Sequence, residues 1–337
     1  MLFIRVALAT AFLLPMTAFG KKKIKLSHVE SSGMVRAGAI SESLRRGESL
    51  MDFELNLDSP KSGTNSAHIQ IYGSNQADDQ AVVLKRAYIK GKPSLYSDLT
   101  FGLTKKVLGL ENSLPEKQRM TARYSLLYRK LQSYAYIGNE LILKYASKSP
   151  FYKGRTRYAA SLGYAESNDI HSILEIDHSD GPYRYGAWLL LQSDRIDDEK
   201  QNVWAGVFSY QYKLGGIHFD TEIAGGVDPF ESGTEAKLGD GKQILFYGFK
   251  TTFGILLGKV GYMPTKLEPL IQVGHIVNDH TLAEYSKRNL LVGFNYHFTR
   301  QGLVALNYEL VEGNSRIDLD DINRDESSVV LLTKFFW

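Results

Sequence analysis

The sequence predicts an all-β chain folded as a transmembrane antiparallel β-barrel, and three observations carry that reading. Short segments with apolar residues at every second position recur along the chain. No run after residue 20 is long and apolar enough for a membrane helix. The chain also stops on an alternating segment that ends in an aromatic residue. Alternation at period two places successive side chains on opposite faces of a strand. In a barrel wall, one face then meets lipid and the other a wet lumen.

Arg5 is the only charge in residues 1–20, an apolar stretch runs from Val6 to Met16, and Ala18-Phe19-Gly20 places small residues at the −3 and −1 positions of a cleavage site. A short apolar core with a small-residue exit reads as a secretory signal peptide, with the mature chain starting at Lys21. A membrane anchor would need about 20 apolar residues. The division expected is a signal peptide over 1–20 and one barrel domain over 21–337. Without the signal peptide, 39 basic residues face 37 acidic ones, a net charge of +2, which is too balanced to imply nucleic acid as a partner. Cysteine is absent, which excludes a disulfide framework, Cys-based zinc sites and thiol nucleophiles. Twenty Tyr and 16 Phe supply the aromatic residues that interfacial girdles use.

The strands follow. Leu290, Val292, Phe294, Tyr296 and Phe298 share one face, against Asn289, Gly293, Asn295 and His297. Val304, Leu306, Tyr308 and Leu310 oppose Ala305, Asn307 and Glu309. Trp204, Phe208, Tyr210 and Tyr212 oppose Ser209, Gln211 and Lys213. Ile217, Phe219, Thr221 and Ile223 oppose His218, Asp220 and Glu222. A soluble sandwich alternates too. Two features weigh against it: Tyr and Phe at the ends of the apolar faces, and small and charged residues on the opposite faces. Val329, Leu331, Thr333, Phe335 and Trp337 alternate with Val330, Leu332, Lys334 and Phe336. This resembles the terminal strand of outer-membrane barrels, which implies Phe335 and Trp337 as the signal read by the barrel-assembly machinery. Threaded backwards from Trp337, the pattern gives about 16 strands, an even number as closure requires, with 14 or 18 also compatible. Short turns are expected at Gly91-Lys92-Pro93, Gly181-Pro182, Leu214-Gly215-Gly216 and Thr299 to Gly302. Longer outer loops are expected at 194–201, 227–242, 278–287 and 312–326. The first segment is expected near 24–40, and 243–263 reads as one long strand or two short ones.

One stretch of some thirty residues after 104 does not alternate. Ser113-Leu114-Pro115-Glu116 has the residues of a helix start, with Ser as N-cap and a helix to Leu131. On that helix Arg119 and Arg123 share a face. Lys105, Lys106, Arg119, Arg123, Arg129 and Lys130 concentrate positive charge there. The segment reads either as a constriction loop folded into the lumen or as an outward, solvated helix.

Arg86-Ala87-Tyr88-Ile89-Lys90-Gly91-Lys92, Asp98-Leu99-Thr100-Phe101-Gly102 and Lys105-Lys106-Val107-Leu108-Gly109-Leu110-Glu111 resemble the early strands of phosphate-selective-type porins. Gly293 to Tyr296 is similar to a late strand of that family. Val107-Leu108 replaces the Pro-Phe of the family's element. The resemblance implies a passive channel for small hydrophilic solutes, often anions, in the outer membrane of a Gram-negative bacterium.

No nucleophile elbow, phosphate loop or zinc-ligand spacing is found, so no catalytic residue, metal or cofactor is expected. Arg157, Arg184, Lys213, Lys250, Glu175, Asp177, Asp220 and Glu222 are candidate lumen charges, and His68, His171, His218 and His297 fall on lumen faces. The alternatives are a structural or adhesive barrel acting through its outer loops, and a barrel-type hydrolase. Expected partners are outer-membrane lipid, the assembly machinery, small solutes or anions and, in a homotrimer, further copies of the chain.

Overall fold

A computed structural model describes residues 30–42, 46–59, 65–74, 82–115, 118–149, 154–164, 170–196, 199–229, 243–259, 266–281, 286–299, 301–313 and 326–336. The strands are β1 (Glu30–Glu42), β2 (Arg46–Asp58), β3 (Asn65–Ser74), β4 (Val82–Ser94), β5 (Ser97–Lys106), β6 (Gly138–Ser149), β7 (Arg155–Tyr164) and β8 (Ile170–Asp180). They continue as β9 (Tyr183–Ile196), β10 (Glu199–Leu214), β11 (Ile217–Val227), β12 (Leu245–Ile255), β13 (Leu267–Val277), β14 (Ser286–Tyr296), β15 (Gly302–Gly313) and β16 (Glu326–Phe336). Each pairs antiparallel with the next. β1 pairs with β16, from Met34 opposite Phe336 to Glu42 opposite Ser328, so the ladder closes. Two helices, α1 (Leu110–Ser113) and α2 (Leu126–Ser133), lie between β5 and β6. No described helix is long and apolar enough to cross a membrane; the strands are the spanning elements.

Sixteen strands match the expected number. The alternation is visible residue by residue: on β14, Leu290, Val292, Phe294 and Tyr296 are 39–46% exposed, while Asn289, Leu291 and Asn295 are at most 5% exposed. An apolar belt on the outside of a closed ladder is a lipid-facing surface. Aromatic rings gather at its short-turn end, where Tyr183 and Tyr212 lie 5.3 Å apart and Phe298 and Phe335 5.4 Å apart. Gly215 and Gly216, both at positive φ, make the turn between β10 and β11.

Several boundaries differ from the sequence reading. Gly91-Lys92-Pro93 lies inside β4, and Leu95-Tyr96 makes the turn. The β4–β5 register is irregular between Gly91 and Ser94, where a residue without an N–H is tolerated. Residues 194–201 are mostly strand, because β9 and β10 stay paired as far as Ile196 opposite Glu199. β1 is described from Glu30 on, with 24–29 outside the described residues, and the described part of 243–263 holds one strand, β12, followed by a 3-10 turn at Leu257–Lys259. The helix expected from Ser113 is also displaced. α1 ends at Ser113, and Leu114 is extended because it precedes Pro115. α2 starts only after Ser125, whose hydroxyl accepts from the Tyr128 N–H. Arg119 and Arg123 therefore share no helix face. Residues 1–20, where a signal peptide is expected, and Glu116, Lys117, most of the expected outer loops and Trp337 lie outside the described residues.

The two lumen halves differ. Inward side chains of β10–β16, such as Ser209, Glu222, Gln272, Asn307 and Lys334, are buried, whereas Glu54, Tyr72, Arg86, Tyr88 and Lys90 on β2–β4 are half-buried. The segment between β5 and β6 covers the former wall, and the core of the molecule is formed there. Leu108, Leu127, Leu131, Tyr134 and Tyr136 pack on Trp188, Leu190, Val207 and Phe246.

The lipid-facing assignment makes a direct prediction. Val292→Arg on the outer face should cost about 2–4 kcal/mol of folding stability in bilayers. Ser66→Arg on the half-exposed lumen wall should cost much less. Equal losses in a reversible folding assay would contradict the assignment of faces.

Candidate functional site

The segment from Val107 to Ile137 is held inside the barrel by named contacts at both ends. It leaves β5 through Gly109, whose φ is +85°. A Cβ there would overlap the Tyr128 hydroxyl and lie 2.9 Å from Glu222 Oε2, so only glycine lets the chain pass so close to the wall. The backbone N–H of Leu110 donates to Glu222 Oε2 at 2.8 Å, and that of Glu111 to Glu222 Oε1 at 2.9 Å. The hydroxyls of Tyr128 (2.6 Å) and Ser209 (2.7 Å) donate to the same carboxylate. Lys250 binds Asp220 at 2.8 Å, Glu111 at 3.0 Å and Glu222 at 3.2 Å. Glu111 in turn accepts from the N–H (2.8 Å) and hydroxyl (2.7 Å) of Ser125, which ties α1 to the N-terminus of α2.

The far side is pinned separately. Asn295 donates to the Met120 carbonyl at 2.8 Å, and the Ala122 N–H donates to Asn307 Oδ1 at 2.8 Å. Ala122 packs on Ala305, Val330 and Leu332. Arg129 pairs with Glu309 at 2.6 Å. Lys130 lies 3.8 Å from Asp228 and over the Tyr134 ring, while the Tyr134 hydroxyl donates to Asp228. The insert thus reaches from β5 across to the β10–β16 wall, and the outward solvated helix is not what the fold contains.

Burial acts differently on the two insert groups that titrate inside this contact. For Glu111, burial alone would raise the pKa, but Lys250 and the Ser125 hydrogen bonds outweigh it and the carboxyl is held below its usual range. A lowered carboxylate contributes docking stability at neutral pH, and that stability is lost as pH falls through the folded-state value. Burial, then the charges of Glu222 and Glu111, push the Tyr128 hydroxyl well up. It therefore stays a donor.

The remaining sequence candidates scatter around the lumen. Lys106 is fully buried against Glu140 (2.6 Å) and Gln192 (3.2 Å). Lys105 donates to the Asn112 carbonyl and to the Tyr124 hydroxyl at 3.3 Å. Arg119 stacks 4.2 Å over the Tyr124 ring. Arg123 is half-buried, and its carbonyl accepts from Thr121. Arg157 and Lys144 share Glu175 at 3.3 and 2.6 Å, and Arg184 holds Asp177 at 2.9 Å. Lys213 is half-buried near the short-turn end of β10. Phe335 is half-exposed on the outer face. Asn295 and Asn307 hold the insert, which corrects the view of them as plain lumen positions. Lumen histidines pair with carboxylates: His68 with Asp58, His171 with Glu140, and His218 and His297 with Glu268.

Sequence reasoning missed Lys85 and Glu111. The β3–β4 register shifts between Gln70 and Ile71, which face Arg86 and Leu84 and leave Lys85 as an extra residue. Lys85 thereby reaches the lumen beside Arg86, with its ammonium 3.8 Å from Glu54 and 4.4 Å over the Tyr72 ring. Strict alternation would have put it in lipid. The apolar spacing of Leu127, Leu131 and Tyr134 was the available signal that the insert has a buried face.

No family model matches this chain, and no curated protein matches it. Solved structures do. OmpF of Salmonella typhi, in complex with daunomycin, superposes with a TM-score of 0.66 at 10% identity, over 92% of this chain and 97% of that one. The anion-selective porin from Comamonas acidovorans gives 0.62 at 10% identity, over 92% and 99%. OmpT of Vibrio cholerae, in its trimer form, gives 0.62 at 11% identity, over 92% and 99%. The chain therefore shares the fold of outer-membrane porins and channels.

Glu222→Ala should free the insert. It leaves Lys250, Tyr128 and two backbone N–H groups without their shared acceptor, a loss of about 3–5 kcal/mol for a broken buried charge contact. Proteolytic nicking between residues 107 and 137 should rise sharply while the barrel stays folded. Unchanged protection would remove Glu222 from its place as the anchor.

Proposed function

We propose that this chain is an outer-membrane porin, a passive channel for small hydrophilic solutes with a preference for anions. The observation that carries the reading is the lopsided lumen. The insert fills the side of β10–β16, which leaves a half-exposed polar wall on β2–β5 as the route for solute. On this reading the narrow level of that route carries Lys85, Arg86 and Arg119, with Lys105 bonded to Asn112 and Tyr124 beside Arg119. Cations gathered between low-dielectric walls concentrate the field where the path is narrowest. Lys106 and Arg129 are held at 2.6 Å by Glu140 and Glu309 and contribute less net charge, whereas Lys85 and Lys130 each lie 3.8 Å from a carboxylate, Glu54 and Asp228. Charges elsewhere in a wide, salty lumen are screened beyond about 8–10 Å.

Glu175, Asp177, Asp220 and Glu222 each lie against a cation, as wall charges do in a wet channel. That favours a channel over a hydrolase. The OmpT neighbour in its trimer form supports a homotrimer. Secretion through a signal peptide over residues 1–20, and recognition of the Phe335–Trp337 end by the assembly machinery, belong to the same reading.

Two measurements test it. In planar bilayers under a salt gradient, the reversal potential should show anion preference, and Lys85→Glu with Arg86→Glu and Arg119→Glu should move it toward cations. A potential indifferent to all three would remove the anion preference, and absence of conductance would remove the channel. N-terminal sequencing of membrane-inserted protein should begin at Lys21; retention of Met1 to Gly20 would exclude the secretory reading.

A further inference from the structure

The open wall is more than basic: its cations are interleaved with aromatic rings. The Lys85 ammonium sits 4.4 Å over the ring of Tyr72. On the insert, Arg119 lies 4.2 Å over the ring of Tyr124, and Lys105 reaches the hydroxyl of that tyrosine and the same ring at 5.9 Å. Further along β4, Tyr88 stacks with His68 at 4.8 Å. These rings are half-buried, in contrast to Tyr128, Tyr134 and Tyr136, which are sealed into the packed side of the insert. The β3–β4 wall and the insert therefore offer the same chemistry: π-faces with planar or ammonium cations a few ångströms away.

That combination discriminates among anions. A carboxylate gains from the lysines and arginines whatever it is attached to. Only a solute with a flat π-face also gains from stacking on the tyrosine rings or on the guanidinium of Arg119. A saturated ring of similar size and equal charge fills the same space without that gain.

The geometry points to small aromatic carboxylates as the solutes retained here, each with its ring on one of Tyr72, Tyr88 or the Arg119–Tyr124 pair and its carboxylate on the cation beside that ring. This rests on the channel reading for its role in transport, though not for binding itself.

The experiment uses the full-length protein and three probes: benzoate, cyclohexanecarboxylate and acetate. Equilibrium dialysis of detergent-solubilised protein measures binding without any current. Blockade of chloride current in bilayers measures residence in the path. Benzoate should bind about tenfold more tightly than cyclohexanecarboxylate, and acetate more weakly than either. Tyr72→Leu with Tyr88→Leu should bring benzoate down to the cyclohexanecarboxylate value, with no comparable loss for cyclohexanecarboxylate itself. Trp fluorescence and resistance to proteolysis confirm that this variant is folded. Equal binding of benzoate and cyclohexanecarboxylate to the unmodified protein would overturn the inference even if anion preference held. Selective benzoate binding by a protein that carries no current would uphold it while the channel reading fell.

Discussion

Lipid offers a backbone no hydrogen-bond partner, and the rest of this molecule follows from that constraint. Every strand must be paired on both sides, so sixteen strands close on themselves through β1 and β16. Closure forces the two-residue alternation to become an outside and an inside. The outside is satisfied by lipid. The inside is a polar cylinder, and the segment between β5 and β6 packs into it along the β10–β16 wall.

How that segment is held decides the shape of the space that remains. One carboxylate, Glu222, accepts from two backbone N–H groups, two hydroxyls and Lys250, so the insert is fixed to the wall by charge-assisted contacts in a buried place. Leucine and tyrosine side chains then seal that side against water. Because the anchor sits on β11 and β12 and the far pins on β14 and β15, the open path is displaced toward β2–β5. The same displacement leaves Lys85, Arg86, Lys105 and Arg119 half-buried rather than sealed, although 34 positions separate the first from the last in the chain.

The fold was legible because its physics is local. Period two is written directly into residues such as Leu290, Val292, Phe294 and Tyr296, and an even strand number needs only turns between such segments. The errors fell where a second influence competed with the pattern. Gly91 and Pro93 have the residue types of a turn, but the ladder shifts register there and carries on. Ser113 and Pro115 resemble a helix start, yet proline restrains the residue before it, and Ser125 is the cap that the backbone uses.

The sequence by itself determined the architecture, the lipid-facing set and the presence of a basic, non-alternating insert, because each depends on the spacing of residue types along one strand or one segment. Only the tertiary structure decided which carboxylate each cation meets. Lys106 meets Glu140, Arg129 meets Glu309 and Lys130 lies by Asp228 through contacts made across the barrel. Lys85 enters the lumen only because one extra residue bulges from β4. Electrostatic character depends on distance in space, and a closed barrel brings together residues whose separation along the chain says nothing about that distance.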